Sequence, residues 1–198
     1  MNPMHKDSFF AMISRMKYID RWALMRNSMT ENISEHSLEV AMIAHGLAVL
    51  GNVRFGKEYD IEHIVLLAIY HDCTEIITGD MPTPIKYENP DIQQAYKQIE
   101  KTAAFRMLNM LPNDMREYYE GLLVPGEKDA GNYRLVRAAD RLSALIKCIE
   151  EEKAGNSEFS SAKETITNSI QKLECPEAQA FMEEFLPAYY KNLDELSS

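Results

Sequence analysis

No histidine follows position 71 in this chain of 198 residues, and only four precede it, at positions 5, 36, 45 and 63. So few imidazoles exclude an array of histidine-based metal centres and leave little choice among candidate ligands. Cysteine is as scarce: Cys73, Cys148 and Cys175 are odd in number and lack the close paired spacing of a zinc knuckle or a redox motif. They read as reduced thiols. Long hydrophobic runs are missing too. The most apolar stretch, Ile64 to Tyr70, is far too short to span a bilayer, and the segment Met1 to Asp7 has no apolar signal core. These absences predict a cytoplasmic protein with no membrane partner. Positive charge is also in deficit, with 21 Lys and Arg against 31 Asp and Glu, a net charge of −10 and a pI near 5.0. A net anion repels a nucleic-acid backbone, so a nucleic-acid polymer is not the expected partner. An anionic small-molecule substrate would need a cation or a few placed basic side chains.

Strand-like alternation is nearly absent, whereas apolar residues recur at helical spacing along the chain. The pattern predicts an all-α fold, and the length fits a single domain over residues 1–198. Helices are expected over Ser8 to Tyr18, Ser34 to Leu50, Ile61 to Ile77, Asp91 to Met110, Asn113 to Leu123, Asn132 to Ala154, Ser160 to Leu173 and Pro176 to Leu186. Ser34 and Asp60 are placed to cap the helices they precede, and Gly79 and Gly155 to follow helix ends. Two prolines should keep Asp80-Met81-Pro82-Thr83-Pro84 out of helix.

His71 and Asp72 stand side by side at the end of the apolar Ile64 to Tyr70 segment, where burying imidazole and carboxylate together is costly without a partner. A metal would satisfy both, and Glu75, one turn on, would face the same pocket. Taken alone, the dipeptide fits a solvated, capped helix end better than a ligand pair. His36 falls in the first turn of another amphipathic helix. Asp140 falls inside a third, off the stripe formed by Leu135, Ala138, Ala139, Leu142 and Leu145, where a salt bridge to Arg137 would also explain it. His45 is out of phase with His36 on one straight helix, and both His45 and His63 read as structural or surface residues.

A His, then a His-Asp pair, then a distant Asp, each on its own helix, resembles the signature of the HD-domain phosphohydrolases. The strings Arg21 to Asn27, Thr30 to Ser37, His71 to Glu75, Thr78 to Tyr87, Arg137 to Asp140 and Ala154 to Phe159 narrow the resemblance to the bacterial 5′-deoxynucleotidases of the YfbR type, from about Phe9 to Leu196. That resemblance implies an HD-domain helical bundle, a homodimer, and removal of the 5′-phosphate from 2′-deoxyribonucleoside monophosphates. It implies a metal held by His36, His71, Asp72 and Asp140, and a substrate contacted by Arg21, Trp22, His36, Asp80, Thr83 and Asp140. Arg21 would orient the phosphate, with a surface salt bridge as its ordinary alternative. Trp22, which composition alone would place in the core, would exclude a 2′-hydroxyl. Glu75 and Asp80 would share the proton transfers, and the sequence does not divide acid from base between them.

Chemistry agrees with the implied donor set. Two imidazoles and two carboxylates suit one divalent first-row ion per subunit, Co²⁺ or Mn²⁺ in vitro with Fe²⁺ and Zn²⁺ as alternatives, leaving room for a water or a phosphate oxygen. A second metal would need further histidines, which the chain lacks beyond His71. The apolar Ile92, Ala95, Tyr96, Ile99, Ala103, Phe105 and Leu108 exceed one core-facing stripe and favour a homodimer. Two other readings stay open from the sequence: an HD phosphohydrolase acting on another phosphorylated nucleotide, and a non-catalytic HD module that senses nucleotides.

Overall fold

A computed structural model describes residues 7–86 and 89–197, without the side chains of residues 83 and 84. The helices are α1 (Phe9–Ile13), α2 (Ile33–Arg54), α3 (Ile61–Tyr70), α4 (Glu75–Thr78), α5 (Thr83–Lys86), α6 (Pro90–Leu108), α7 (Arg116–Leu123), α8 (Ala130–Lys153), α9 (Ser160–Gln171), α10 (Pro176–Glu184) and α11 (Leu193–Ser197). Among the described residues there is no strand, only an isolated antiparallel bridge between Asp20 and Asn32. No described helix is long and apolar enough to cross a membrane. The expected all-α fold is observed.

Three helices carry the frame. The long α2 packs against both α3 and α8, and their facing residues Val40, Leu47, Ile64, Leu67, Leu135, Leu142 and Ile149 are completely buried. Each such side chain contributes about 1.5–3 kcal/mol on burial, so the three helix axes are fixed relative to one another. Phe9, Met16, Ile33, Met107 and Leu111 form a second cluster, and Tyr70 packs against both.

Several local expectations need correction. Asn32, not Ser34, caps α2: its side chain accepts from the Ser34 and Glu35 amides at 3.0 and 3.1 Å, while Glu35 accepts from the Asn32 amide in a reciprocal box. Asp60 caps α3 as expected, accepting from the His63 amide at 3.0 Å. The helix expected over Ile61 to Ile77 is broken between Tyr70 and Glu75. Over that stretch the backbone bonds tighten by one residue, Cys73 to Tyr70, Glu75 to Asp72 and Ile77 to Thr74. The Ala68 carbonyl, which a continuing helix would offer to the Asp72 amide, accepts from the His71 imidazole at 2.7 Å.

The Asp80 to Pro84 loop is also not wholly irregular, since α5 begins at Thr83 and includes Pro84. First-turn amides have no intrahelical partner, so proline is tolerated there. The first expected helix splits into α1 and a 3₁₀ segment, Ser14–Tyr18. Gly79 and Gly155 follow helix ends with φ of 74° and 81°, conformations that an L side chain resists. At Gly79 this turn sends the chain from α4 towards Asp80.

Candidate metal centre and its surroundings

His36 sits in the first turn of α2 with only 1% of its surface exposed. Its Nδ1 lies 3.0 Å from the Ser143 hydroxyl oxygen and 3.3 Å from Glu31 Oε1. Ser143 spends its own proton on Glu39, so its oxygen accepts from His36 Nδ1–H. That fixes the tautomer. His36 Nε2 then faces Asp140 Oδ1 at 3.2 Å and Asp72 Oδ2 at 3.5 Å.

His71 repeats the arrangement from the other side. Its Nδ1–H donates to Ala68 O, leaving Nε2 3.1 Å from Asp72 Oδ2. Buried there, His71 Nε2 has no hydrogen-bond donor to receive. Imidazole Nε2 atoms aimed at carboxylate oxygens need a positive charge between them, either a proton or a metal ion. The donors fit that role: one ligand atom each from His36, His71 and Asp72 lies within 4.8 Å of the others. Separations of 3.1 and 3.2 Å fall within, and 3.5 Å just beyond, the roughly 3.0–3.4 Å between neighbouring ligands of an ion with bonds near 2.1 Å. Asp140 borders this trio through His36, and with a side chain 39% exposed it marks the side open to solvent.

Electrostatics follow the same geometry. Burial and the Arg21 charge would lower the His36 pKa, but its bonds to Asp140 and Glu31 outweigh them and raise it to about 9. Burial would raise Asp72, yet the His71, His36 and Arg21 charges hold it below the ordinary carboxylate range. Glu75, in α4 and 6% exposed, is pushed up to about 10 by burial and then by Asp72 and Asp80. Its Oε2 has no partner. Asp80 is also raised by burial, and its carboxylate takes a hydrogen bond from the Trp22 backbone.

The Asp20–Asn32 bridge pins the Arg21 segment against the start of α2, with Arg21 N bonded to Glu31 O at 2.9 Å. The Arg21 guanidinium reaches inward rather than to the surface, 3.4 Å from Asp72 Oδ2 and 3.5 Å from Glu31 Oε2. Trp22 is only partly buried, at φ 60°, with its indole N–H bonded to Glu31 Oε2 at 2.8 Å. Thr83 belongs to the same expected set, and its side chain lies outside the described residues. Arg137 does not pair with Asp140: it lies over the Tyr133 ring at 5.5 Å, and His36 takes its place. His45 is exposed and His63 binds Asp129 at 2.8 Å, both apart from the donor trio.

Sequence reasoning missed Glu31 and Ser143. Glu31 touches Arg21, Trp22 and His36 at once, and Ser143 sets the His36 tautomer. The signal for Glu31 was available in the Asn32-x-x-Glu35 capping box, which fixes where α2 begins. Ser143, three residues after Asp140 on α8, shares its face.

The family model described as 5′-deoxynucleotidase YfbR-like matches residues 8–189. A protein of Vibrio atlanticus (strain LGP32) named 5′-deoxynucleotidase is 45% identical over 194 residues, covering 98% of this chain and all of its own. An HD-domain phosphohydrolase from Listeria innocua superposes with a TM-score of 0.82 at 20% identity, over 96% of this chain and 92% of that one. The cyanophage S-2L HD phosphohydrolase DatZ, solved bound to dA and one catalytic Zn²⁺ ion, gives a TM-score of 0.65 at 19% identity over 92% and 96% of the two chains. The helical frame is that of the HD-domain phosphohydrolases, and the chain belongs to the YfbR-like 5′-deoxynucleotidase family.

Proposed function

We propose that this chain is a single-domain, metal-dependent 5′-deoxynucleotidase that converts 2′-deoxyribonucleoside 5′-monophosphates to deoxyribonucleoside and phosphate. The observation that carries the reading is the convergence of His36, His71 and Asp72, edged by Asp140, beside an inward-facing Arg21 and a half-buried Trp22. His36, His71, Asp72 and Asp140 hold one divalent ion per subunit, with Co²⁺ or Mn²⁺ serving in vitro and Fe²⁺ or Zn²⁺ as alternatives. When bound, the ion supplies Lewis acidity at the phosphoryl oxygens and lowers the pKa of a water.

The protein's own groups do the rest. Arg21 gives its fork to the phosphate, releasing its long contact with Asp72. Glu75, held protonated in the metal-free site by burial, Asp72 and Asp80, would ionise once a bound cation offsets those charges, and would then order the attacking water and take its proton. Asp80, on the Trp22 side, protonates the departing 5′-oxygen as the P–O bond breaks. Trp22 stands against the sugar where a 2′-hydroxyl would lie, and Thr83 closes the nucleotide side. His36 and Asp140 face the substrate as well as the ion.

The enzyme acts in the cytoplasm as a homodimer, a reading supported by Ile99 and Phe105 of α6, which remain 52% and 42% exposed. Light scattering should give twice the 22.7 kDa chain mass, and a single-chain mass at micromolar concentration would refute the dimer. The function itself is tested by phosphate release from dCMP, dUMP and dTMP against the matched ribonucleotides with added Mn²⁺ or Co²⁺. Preference for the deoxynucleotides, lost on chelation, supports the reading. Equal rates on both sugars, or turnover only of cyclic or polyphosphorylated nucleotides, overturns it.

A further inference from the structure

The chain between Trp22 and Thr30 has neither helix nor strand, and besides the Trp22 contacts with Glu31 and Asp80 its long-range anchors come from the far end of α8 and the turn after it. Glu151 accepts from the Ser28 amide at 2.9 Å and the Met29 amide at 3.4 Å. Lys147 donates to Met29 O at 2.6 Å and to Glu151 at 2.5 Å. Asn156 bridges Glu151 at 2.8 Å and Arg26 O at 2.7 Å. Phe159, fully buried, packs its ring 5.2 Å from that of Trp22.

Two features make this more than loop packing. Lys147 and Glu151, one and two turns beyond the buried Ser143 on α8, are 5% and 1% exposed at positions where two hydrophobic residues would pack at no cost in desolvation. Beyond their mutual bond and the Asn156 side chain, their hydrogen bonds go to the backbone of the Trp22 loop. Trp22 itself holds φ of 60°, a left-handed conformation that persists in a bulky residue only when its surroundings over-determine it.

We propose that Lys147, Glu151, Asn156 and Phe159 are positioning residues for sugar selection: they clamp the 22–30 loop and seat the Trp22 ring, so the wall that meets the sugar is set from the C-terminal end of α8. The inference rests on Trp22 as the sugar contact. It explains why Ala154 to Phe159 belongs with Arg21 to Asn27 although it supplies no ligand. Rigid support of a steric wall matters because a ring free to swing aside admits the larger ribose.

Trp22 is the only tryptophan, so its fluorescence reports on the proposed seating without any assay of turnover. The variants are Phe159→Leu, which keeps an apolar filler, and Asn156→Ala at a partly exposed position, with Glu151→Gln as the near-isosteric probe of the buried pair. Expected are a red shift and stronger acrylamide quenching of Trp22. The ratio of kcat/KM for a deoxynucleotide to that for its ribonucleotide should fall about fivefold or more, with helical content and bound metal unchanged. Unchanged quenching in both Phe159→Leu and Asn156→Ala overturns the proposal. So does a parallel loss on both sugars at constant ratio, which is the mark of a purely structural role. If the parent protein shows no sugar preference, the deoxynucleotidase reading fails instead, and the quenching result alone decides whether these residues seat Trp22.

Discussion

His36 Nε2 lies 3.2 Å from Asp140 Oδ1, joining the first turn of α2 to the middle of α8 across 104 residues of chain. Alanine at His36, His71, Asp72 or Asp140 should therefore remove bound metal and turnover together, with circular dichroism unchanged. Ser143→Ala is the finer test. It leaves every ligand in place but removes the nearer of the two acceptors at His36 Nδ1, leaving only Glu31 at 3.3 Å, and metal affinity should fall about 10–100-fold. Full metal content in any two of the four ligand variants would refute the site.

The His36 pKa near 9 makes metal binding a proton exchange. At pH 7 the metal-free imidazolium must lose its Nε2 proton before that atom can coordinate, so binding should release about one proton. Affinity should rise about tenfold per pH unit from 7 towards 9 and flatten above. Calorimetry in buffers of different ionisation enthalpy measures the release directly, and a value of zero at pH 7 would contradict it.

Glu75 carries the opposite sign. Its folded pKa of about 10 lies above the ordinary 4.5, so the metal-free fold loses stability as pH rises through that window, because the unfolded chain alone ionises freely. Glu75→Gln copies the protonated form. It should stabilise the metal-free protein at pH 7 by on the order of 2–3 kcal/mol while lowering turnover, an exchange of stability for function. Thermal melts of the two proteins at pH 4 and pH 7 check it: the gap should widen at the higher pH, and a constant gap would exclude the mechanism.

The helical frame was legible because apolar spacing and burial are the same fact seen twice: Leu135, Leu142 and Ile149 mark one stripe of α8 in the sequence and are completely buried in the fold. His36, His71 and Asp72, which the fold brings together, were named through the family resemblance, and the scarcity of histidine only narrowed the choice. What stayed hidden depended on contacts between distant segments. Ile76 and Ile77 prolong the apolar rhythm past His71, so nothing in the spacing announces the break at residues 71–74 that turns His71 and Asp72 inward. Glu31 looks like one more surface acid until the Asp20–Asn32 bridge folds Arg21 and Trp22 back over it. Lys147 and Glu151, at i and i+4 and continuing the row of the buried Ser143, depend on a partner loop the sequence could not supply.

Trp22 should set the sugar preference. Replacing it with Leu opens room for a 2′-hydroxyl and removes packing against the deoxyribose. Discrimination should shrink by roughly 1–3 kcal/mol, the range of a steric pocket contact. The ratio of the two kcat/KM values is the quantity to compare, since it cancels general damage to folding or metal binding. An unchanged ratio would make Trp22 a packing residue and move sugar selection to the Asp80 and Thr83 side.

One ion, held by His36, His71, Asp72 and Asp140, should make this chain a deoxynucleotidase. The most direct measurement titrates chelator-treated protein with Co²⁺ or Mn²⁺ while following phosphate release from a deoxyribonucleoside 5′-monophosphate. Turnover should start from zero, rise in proportion to added metal and level off at one equivalent per subunit. Equal turnover by the metal-free protein, or a plateau reached only at two equivalents, would contradict it.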